Sequence, residues 1–405
     1  MADKTRDAGA RVVVIGGAGA MGQVIVRDLV ESGVAQVVIA DFDLGRARSA
    51  VTHLAPVIAN KNGSVDLTAA FTDITSHQAM VETLTGASCV INSTPYYRNV
   101  DVMQAALAAR FNYIDLGGLF HVTREQLKLH DQFAAAGLTA ILGMGAAPGM
   151  TNIMAADAQV DLDTVDSIEI FVGSIDNVKY DHPFLVPYSI ETLIDEYTKE
   201  PMVFEDGAFK SVPALSGACM VNFPQPVGRQ EAIYTLHSEV LTLPMTFGPK
   251  GIKKSTFRLG LPLDFHQKMK FLMALGLGSQ EPIATRDKKG SYTPREALAA
   301  ILAKFDLPAQ EPDDCEVVRV DVIGTRDGES QLVRLETIVN ANKDWRVSCG
   351  ALDTGVPPSI VAQMLLRGEI VAQGVLPPEV AVPAAPFFVE LARRQIVMTR
   401  SVHQV

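Results

Sequence analysis

The stretch Arg11–Asp43, RVVVIGGAGAMGQVIVRDLVESGVAQVVIADFD, decides the fold. Arg11–Ile15 is short, apolar and β-branched, as a buried strand is. Gly17, Gly19 and Gly22 follow with the spacing G-x-G-x-x-G. A helical pattern comes next, with Val24, Ile25, Leu29 and Val30 on one side and Gly33 at its C-cap. A second apolar run ends in Asp41, 19 residues beyond Gly22. This order of strand, glycine loop, helix, strand and acid is the context that makes the motif a dinucleotide site. Gly17 permits the tight turn, Gly19 lets the backbone approach a pyrophosphate, and Gly22 lets helix and strand pack closely. The amides of Ala20 and Met21 open the helix where that pyrophosphate binds. Asp41 stands where a carboxylate accepts hydrogen bonds from the adenosine ribose. Asp41 and Asp43 would repel a 2′-phosphate, so the reading favours NAD over NADP, although Arg46 and Arg48 follow close behind.

The pattern continues outward. Strand-like runs and helical patterns alternate from residue 11 to about 142, which predicts parallel strands with right-handed crossovers. A helix over TREQLKLHDQFAAAG is expected, with Thr123 as N-cap and Gln126 closing a capping box. Pro56 is expected to break or kink the end of the helix that follows Asp43. Near Ser167 the rhythm changes. Asp206–Gly207 and Asp327–Gly328 each sit between alternating runs and read as hairpins. The fold class is therefore α/β, a Rossmann-type doubly wound parallel sheet, with an α+β second domain whose sheet is mostly antiparallel. The expected boundaries are 1–150 for the dinucleotide domain, 151–350 for the substrate and oligomerisation domain, and 351–405 for a segment returning to the first.

Composition sets limits. With 405 residues, 48% of them hydrophobic, the chain can bury a large core. A formal net charge of −11 speaks against nucleic acid and anionic membranes as partners. Cys89, Cys219, Cys315 and Cys349 lie far apart, with no spacing of a zinc site, so reduced thiols and no metal are expected. The polar first ten residues lack a signal peptide's apolar run, and no apolar stretch is long enough to span a membrane, so a cytoplasmic protein is expected.

Three polar loops follow strands and converge on one edge of the first sheet, where open α/β sheets bind ligands. In NSTPYYRN (Asn92–Asn99), Ser93, Thr94, Pro95 and Asn99 are candidates for the cofactor, while Tyr96 and Tyr97 could pack on nicotinamide or substrate. NYIDLGGLFH (Asn112–His121) offers Asp115 and His121. GMGAAPGMTN (Gly143–Asn152) offers Gly145 and Pro148 to the cofactor and Gly149, Thr151 and Asn152 to the substrate.

The pieces GGAGAMG, ADFDL, YIDLGG, LKLHDQFAAAGLT, APGMTN, KSVPALSG and GVPPSIVAQMLLRGEIVAQGVLPPE span nearly the whole chain. On them the sequence resembles the saccharopine dehydrogenase-like family, and within it the branch that oxidatively deaminates the side-chain amine of lysine. The resemblance implies a nicotinamide-dependent oxidoreductase acting on C–N bonds of amino acids, with a second domain that carries substrate contacts and an oligomer interface, as a homodimer or homotetramer. Two segments depart from the family pattern: YTLHSEVLTLP lacks its T-x-G, and FRLGLPLDFHQK keeps Arg258 but has no histidine directly after Gly260. Both belong to the part expected to meet substrate.

Amine oxidation needs a neutral nitrogen, and a lysine-type ammonium has a pKa of about 10.4. A base must therefore take a proton near the nicotinamide. Asp115 and His121 are the candidates, with Tyr97 beside them; Asp115 reads equally as a turn aspartate and His121 as an exposed histidine. A substrate carboxylate calls for an arginine fork, for which Arg229 and Arg258 are the choices, and His237 lies in the divergent segment. The polar cluster Lys179–Pro183 reads as a solvated loop. Two other enzymes fit the same residues, a saccharopine- or opine-type dehydrogenase and a polyamine-forming imine reductase. A non-catalytic nucleotide-binding regulator would keep the glycines and Asp41 and lose the base.

Overall fold

β1 (Arg11–Ile15) is solvent-free from Val12 onward, flanked on both sides by parallel neighbours. This computed structural model describes residues 9–60, 65–180, 186, 188–287, 289–302, 304–305 and 311–405. After β1 come α1 (Ala20–Glu31), β2 (Gln36–Asp41), α2 (Leu44–Asn60), β3 (Asp66–Phe71), α3 (His77–Leu84), β4 (Cys89–Asn92), α4 (Asn99–Ala109), β5 (Asn112–Asp115), α5 (Leu119–Leu127), α6 (His130–Ala135), β6 (Thr139–Ile141) and α7 (Met150–Ala158). The alternation expected from the sequence is thus present. All strand pairs in this sheet are parallel. Pro56 does not end α2, which runs on to Asn60. The proline is exposed, so the carbonyl it leaves unpaired can meet water. Thr123 is not an N-cap: the helix begins four residues earlier, and Thr123 and Gln126 are buried inside it.

The second sheet is built from β7 (Thr164–Asp176), then, past α8 (Ile190–Thr198), β8 (Met202–Glu205), β9 (Ala208–Ser211), β10 (Cys219–Asn222) and β11 (Arg229–Tyr234). Next come α9 (Glu239–Phe247), β12 (Lys254–Gly260), α10 (Leu263–Ala274), a short ribbon of β13 (Ile283–Ala284) and β14 (Ser291–Tyr292), α11 (Pro294–Leu302), β15 (Asp314–Arg326) and β16 (Glu329–Asn340). Only the β12–β7 pair is parallel. Both expected hairpin turns form, with positive φ at Asp206 and Gly207 and at Asp327 and Gly328. Alternation along the strands gives the sheet two unlike faces. Ile168, Ile170 and Val172, Phe257, and Val318, Val320 and Val322 point inward and share one core with β1, α1 and α7. The outer face carries ion pairs, among them Arg334–Asp321 at 2.7 Å and Arg258–Glu169 at 3.2 Å.

The tail does more than return to the first domain. α12 (Cys349–Leu366) packs on α1, with no room for a Cβ at Gly355, whose position would lie 2.6 Å from Val24. β17 (Gly374–Leu376) then adds beside β6. After α13 (Pro378–Ala381) and α14 (Ala384–Arg393), however, β18 (Thr399–Gln404) pairs with β16 in the other sheet. One buried carboxylate fastens the tail. Asp28 of α1 accepts from Arg394 Nε (2.5 Å) and Nη2 (3.0 Å) and from Ser359 Oγ (2.6 Å). Arg394→Ala would leave this charge buried and short of donors. It is expected to cost ~3–5 kcal/mol, read as a lower urea midpoint, whereas a surface pair would cost less than ~1 kcal/mol.

Candidate active site

At the carboxyl edge of the first sheet the glycine loop has the geometry of a dinucleotide cradle. A Cβ on Gly22 would lie 2.2 Å from Gly16 O, and one on Gly17 2.8 Å from Val14 O, so neither position tolerates a side chain. Gly19 is the N-cap of α1 and offers no side-chain cap, which leaves the first-turn amides of Ala20 and Met21 for an anion. Asp41 is buried at the end of β2; its carboxylate accepts from Ala18 N (3.2 Å) and Asp43 N (3.1 Å). Arg46 Nη2 donates to Ala18 O at 3.0 Å, placing its guanidinium beside the loop. Ser93 closes the loop from below, its hydroxyl within 3.2 Å of Ile15 O and 3.1 Å of Gly16 O. The residues present fit a nicotinamide dinucleotide.

Behind this cradle a buried network ties the three loops together. Asp115 is fully buried, and its carboxylate receives four donors: Tyr113 Oη (2.9 Å), Gln126 Nε2 (2.5 Å), Gly117 N (2.9 Å) and Gly143 N (2.7 Å). Burial raises its pKa, against the lowering effect of those bonds. With both oxygens doubly engaged, Asp115 has no acceptor left for a substrate proton, and its geometry is that of a fastener. Asn92 Nδ2 links Tyr113 Oη (3.3 Å) to Asn99 Oδ1 (3.0 Å), and Asn99 Nδ2 donates to Gly117 O (3.0 Å). The expected cofactor contact from the Asn99 side chain is therefore replaced by an internal one. Thr94 Oγ1 donates to Asn92 Oδ1 at 2.7 Å. Pro95 precedes the turn of Tyr96–Arg98. Gly145 N donates to Pro148 O at 2.8 Å, and Pro148 fills the space over Gly117 and Gly143.

The expected substrate contacts in the third loop are also taken up internally. Gly149 has φ +124°, and its Cβ would overlap Gly145 O at 2.3 Å. Thr151 is fully buried in α7. Asn152 accepts from Gly149 N (2.9 Å) and donates to Thr242 Oγ1 (3.2 Å) and Glu379 Oε2 (2.8 Å), so its amide joins α7 to α9 and α13. His121 is exposed on α5, with its ring edge-on to Phe120. Tyr97 is 58% exposed. The arginines expected to bind a carboxylate do not face the cleft. Arg258 shares the outer face with Phe171 and is held by Glu169, Tyr234 Oη (2.7 Å) and Gly217 O (3.0 Å). Arg229 lies exposed at the far end of β11, five residues or about 17 Å of strand from Tyr234. Of the cluster Lys179–Pro183, residues 181–183 lie outside the described ones; Lys179 is exposed and Tyr180 Oη donates to Asp176 at 2.5 Å.

What meets the first domain instead is a set of acids. Tyr96 Oη donates to Asp195 Oδ2 (2.7 Å) on α8 and accepts from Lys199 Nζ (3.2 Å). Burial raises Asp195, but Arg295, Tyr96 and Lys199 outweigh it and hold its carboxyl below the usual range. The adjacent Glu196 is buried and accepts from Tyr188 Oη. Its pKa is pushed up to about 7, mainly by burial, with His237 and Tyr188 acting to lower it. His237 stacks on Phe257 and sits 3.4 Å from Glu239 Oε1. Ser238, next in the chain, packs by Gly143 of the cofactor domain. On the inner face Glu316 neighbours Asp353 of α12; burial comes first in raising both, and the charge of Glu316 pushes Asp353 up further. Sequence reasoning missed Glu196, Glu316 and Asp353. The signal for Glu316 was its parity with Val318, Val320 and Val322; for Asp353 it was a lone acid in an apolar helix.

Comparisons with known proteins agree with this geometry. Residues 12–141 match the family model described as saccharopine dehydrogenase NADP binding domain, and residues 145–397 the saccharopine dehydrogenase C-terminal domain. The chain belongs to the saccharopine dehydrogenase family. It is an NAD(P)-dependent oxidoreductase acting on C–N groups. Among its relatives is the carboxynorspermidine synthase of Vibrio cholerae serotype O1, 26% identical over 304 residues, 71% of each chain. Another is the carboxyaminopropylagmatine dehydrogenase of a Synechocystis species, 24% identical over 317 residues, 76% of this chain and 77% of that one. The solved structure of apo saccharopine dehydrogenase (L-Glu forming) from Saccharomyces cerevisiae shares the fold, with a TM-score of 0.73 at 17% identity over 98% of this chain and 100% of that one. Among the described residues, no group of His, Cys, Asp and Glu is arranged to hold a metal, and no helix is long and apolar enough to cross a membrane.

Asp115→Asn would point an amide at donors that need an acceptor. It is expected to cost ~1.5–3 kcal/mol in stability and to weaken binding of the reduced dinucleotide, followed by its fluorescence. A base at this position would instead lose kcat with stability and binding unchanged.

Proposed function

We propose that this enzyme acts on the C–N bond of a basic amine carrying at least one further cationic nitrogen, with NAD in preference to NADP. The supporting observation is a group of buried and half-buried acids without cationic partners near the domain junction. Among the described residues no lysine or arginine is ion-paired to Glu196, Glu239, Glu316 or Asp353. A substrate ending in two carboxylates would meet repulsion here, which weighs against the opine-type reading. The two relatives named for carboxynorspermidine and carboxyaminopropylagmatine point the same way. L-lysine, with two cationic nitrogens, fits the same acids, and a lysine 6-dehydrogenase-like deamination is the second reading, supported by the resemblance around APGMTN. The loop residues Ser93, Thr94, Pro95, Gly145 and Pro148 would line the dinucleotide, which supplies or accepts the hydride when bound. Tyr96, placed by Asp195 and Lys199, would position the amine. Self-association through the second domain, as a homodimer or homotetramer, is part of the same proposal.

The test follows the absorbance of reduced nicotinamide across L-lysine, ornithine, saccharopine and short diamines, alone and with an amino-acid aldehyde or a keto acid. Consumption of reduced cofactor with a diamine and an amino-acid aldehyde together is expected for the polyamine-type reaction. Ammonia release from lysine alone would select the second reading, and turnover confined to monoamines would overturn both. For the cofactor, Asp41→Ser removes the repulsion of a 2′-phosphate and leaves Arg46 beside it. The ratio of kcat/KM for NADP over NAD is expected to rise about tenfold, or ~1.4 kcal/mol.

A further inference from the structure

Within this group of acids, Glu196 differs from Asp115 in what its oxygens meet. Asp115 is saturated by four donors. Glu196 Oε2 accepts from Tyr188 Oη, while Oε1 accepts no hydrogen bond among the described residues, in a residue that is 5% exposed. The free oxygen belongs to a residue whose position is fixed from several sides. Asp195, its neighbour on α8, is bonded to Tyr96 in the loop after β4. The segment between β11 and α9 holds His237, its ring flat on Phe257 with centroids 3.4 Å apart, and the charge of that residue acts to lower the pKa of Glu196. Ser238 in that same segment packs by Gly143 in the loop after β6. Glu196 thus follows directly, on α8, the residue that bonds the loop after β4, on the side of the second domain that meets the cofactor domain.

We infer that Glu196 is the catalytic residue that exchanges a proton with the reacting nitrogen of the substrate, with Tyr188 as its positioning residue. The inference rests on the proposed cationic amine substrate. In the oxidative direction an ammonium N–H bond breaks, a carboxyl O–H bond forms at Oε1, and the nitrogen keeps the electron pair it needs to form a C=N bond. In the reductive direction the same O–H proton returns to the newly formed amine. A base for this purpose should titrate near neutrality, and Glu196 does so at about 7. Burial sets this value first; the charge of His237 and the bond from Tyr188 lower it, and Asp195 raises it, while Tyr197 on the same helix, Glu239 beside His237 and Glu316, whose charge reaches Tyr188, are the other titratable groups around it.

The experiment titrates the full chain, without cofactor, with 1,4-diaminobutane and with L-lysine near pH 6, in two buffers of different ionisation enthalpy. A bound cation lowers the pKa of a nearby carboxyl, so below its midpoint binding releases the Glu196 proton. Wild type is expected to release protons, and Glu196→Gln, which still accepts from Tyr188, to release less than half as many per cation bound. Its kcat is expected to fall on the order of 100-fold, with loss of the acid limb of the pH profile. Equal proton release with kcat within about threefold would overturn the assignment. Should Glu196→Gln fold poorly, Tyr188→Phe decides: without the bond that favours the ionised form, the acid limb moves to higher pH, and an unmoved limb refutes the inference. Failure of either amine to bind wild type would instead overturn the substrate class.

Discussion

A single buried carboxylate holds the ligand edge of the first domain in place. An ion in Asp115's position, without water, is tolerable only if hydrogen bonds replace its hydration. The four donors come from β5, the loop after it, α5 and the loop after β6. Through Tyr113, the same charge is linked to Asn92 and Asn99, and so to the loop after β4. All three loops that border the nicotinamide end are therefore set by one charge. Small residues are required around it: Pro148 lies so close to Gly117 and Gly143 that a Cβ there would come within 3.0 and 2.8 Å. The loops are ordered by polar contacts within the domain, before any ligand contributes.

The second constraint is the continuity of the core between the sheets. α7 and α12 lie in one apolar cluster with β1 and α1 on one side and β7, β12 and β15 on the other. The inner face of the second sheet is thus pinned to the first domain. The tail closes the arrangement by giving one strand to each sheet, while Asp28 binds Arg394 across more than three hundred residues of chain.

What was legible in the sequence follows from the range of the forces involved. The glycine loop could be read because each glycine answers a local steric demand, and Gly22 shows it most plainly. The alternation of β1 to β6 could be read because burial on both faces leaves unbroken apolar runs. Arg258 was misjudged although its parity was visible: Phe257 and Leu259 on either side are apolar and inward, so the arginine between them had to point outward. Asn152 and Asp115 were read as site residues because loops that carry polar groups usually serve ligands. Their partners, Glu379 and Gln126 among them, lie 227 and 11 residues away, and no spacing rule joins them. Glu196 escaped notice for the same reason, since its environment is made by Tyr188 and His237 from different segments.

The acids near the domain junction bear on substrate choice through their cost to folding. A carboxylate buried without a cation destabilises the native state, and packed apolar residues in its place would do better. Glu316 and Asp353 reduce this cost because burial and their mutual repulsion push their pKa values up, and Glu196 because burial pushes its own up to about 7. Both devices leave the free protein tolerably neutral there and yet able to become anionic. The proposed cationic substrate would supply the missing partner, and the proton it displaced would leave the carboxylate to hold it. Sites that break a folding rule without local compensation are where function is found. Here the rule broken is charge pairing, and the proposed substrate, with more than one positive nitrogen, would restore it.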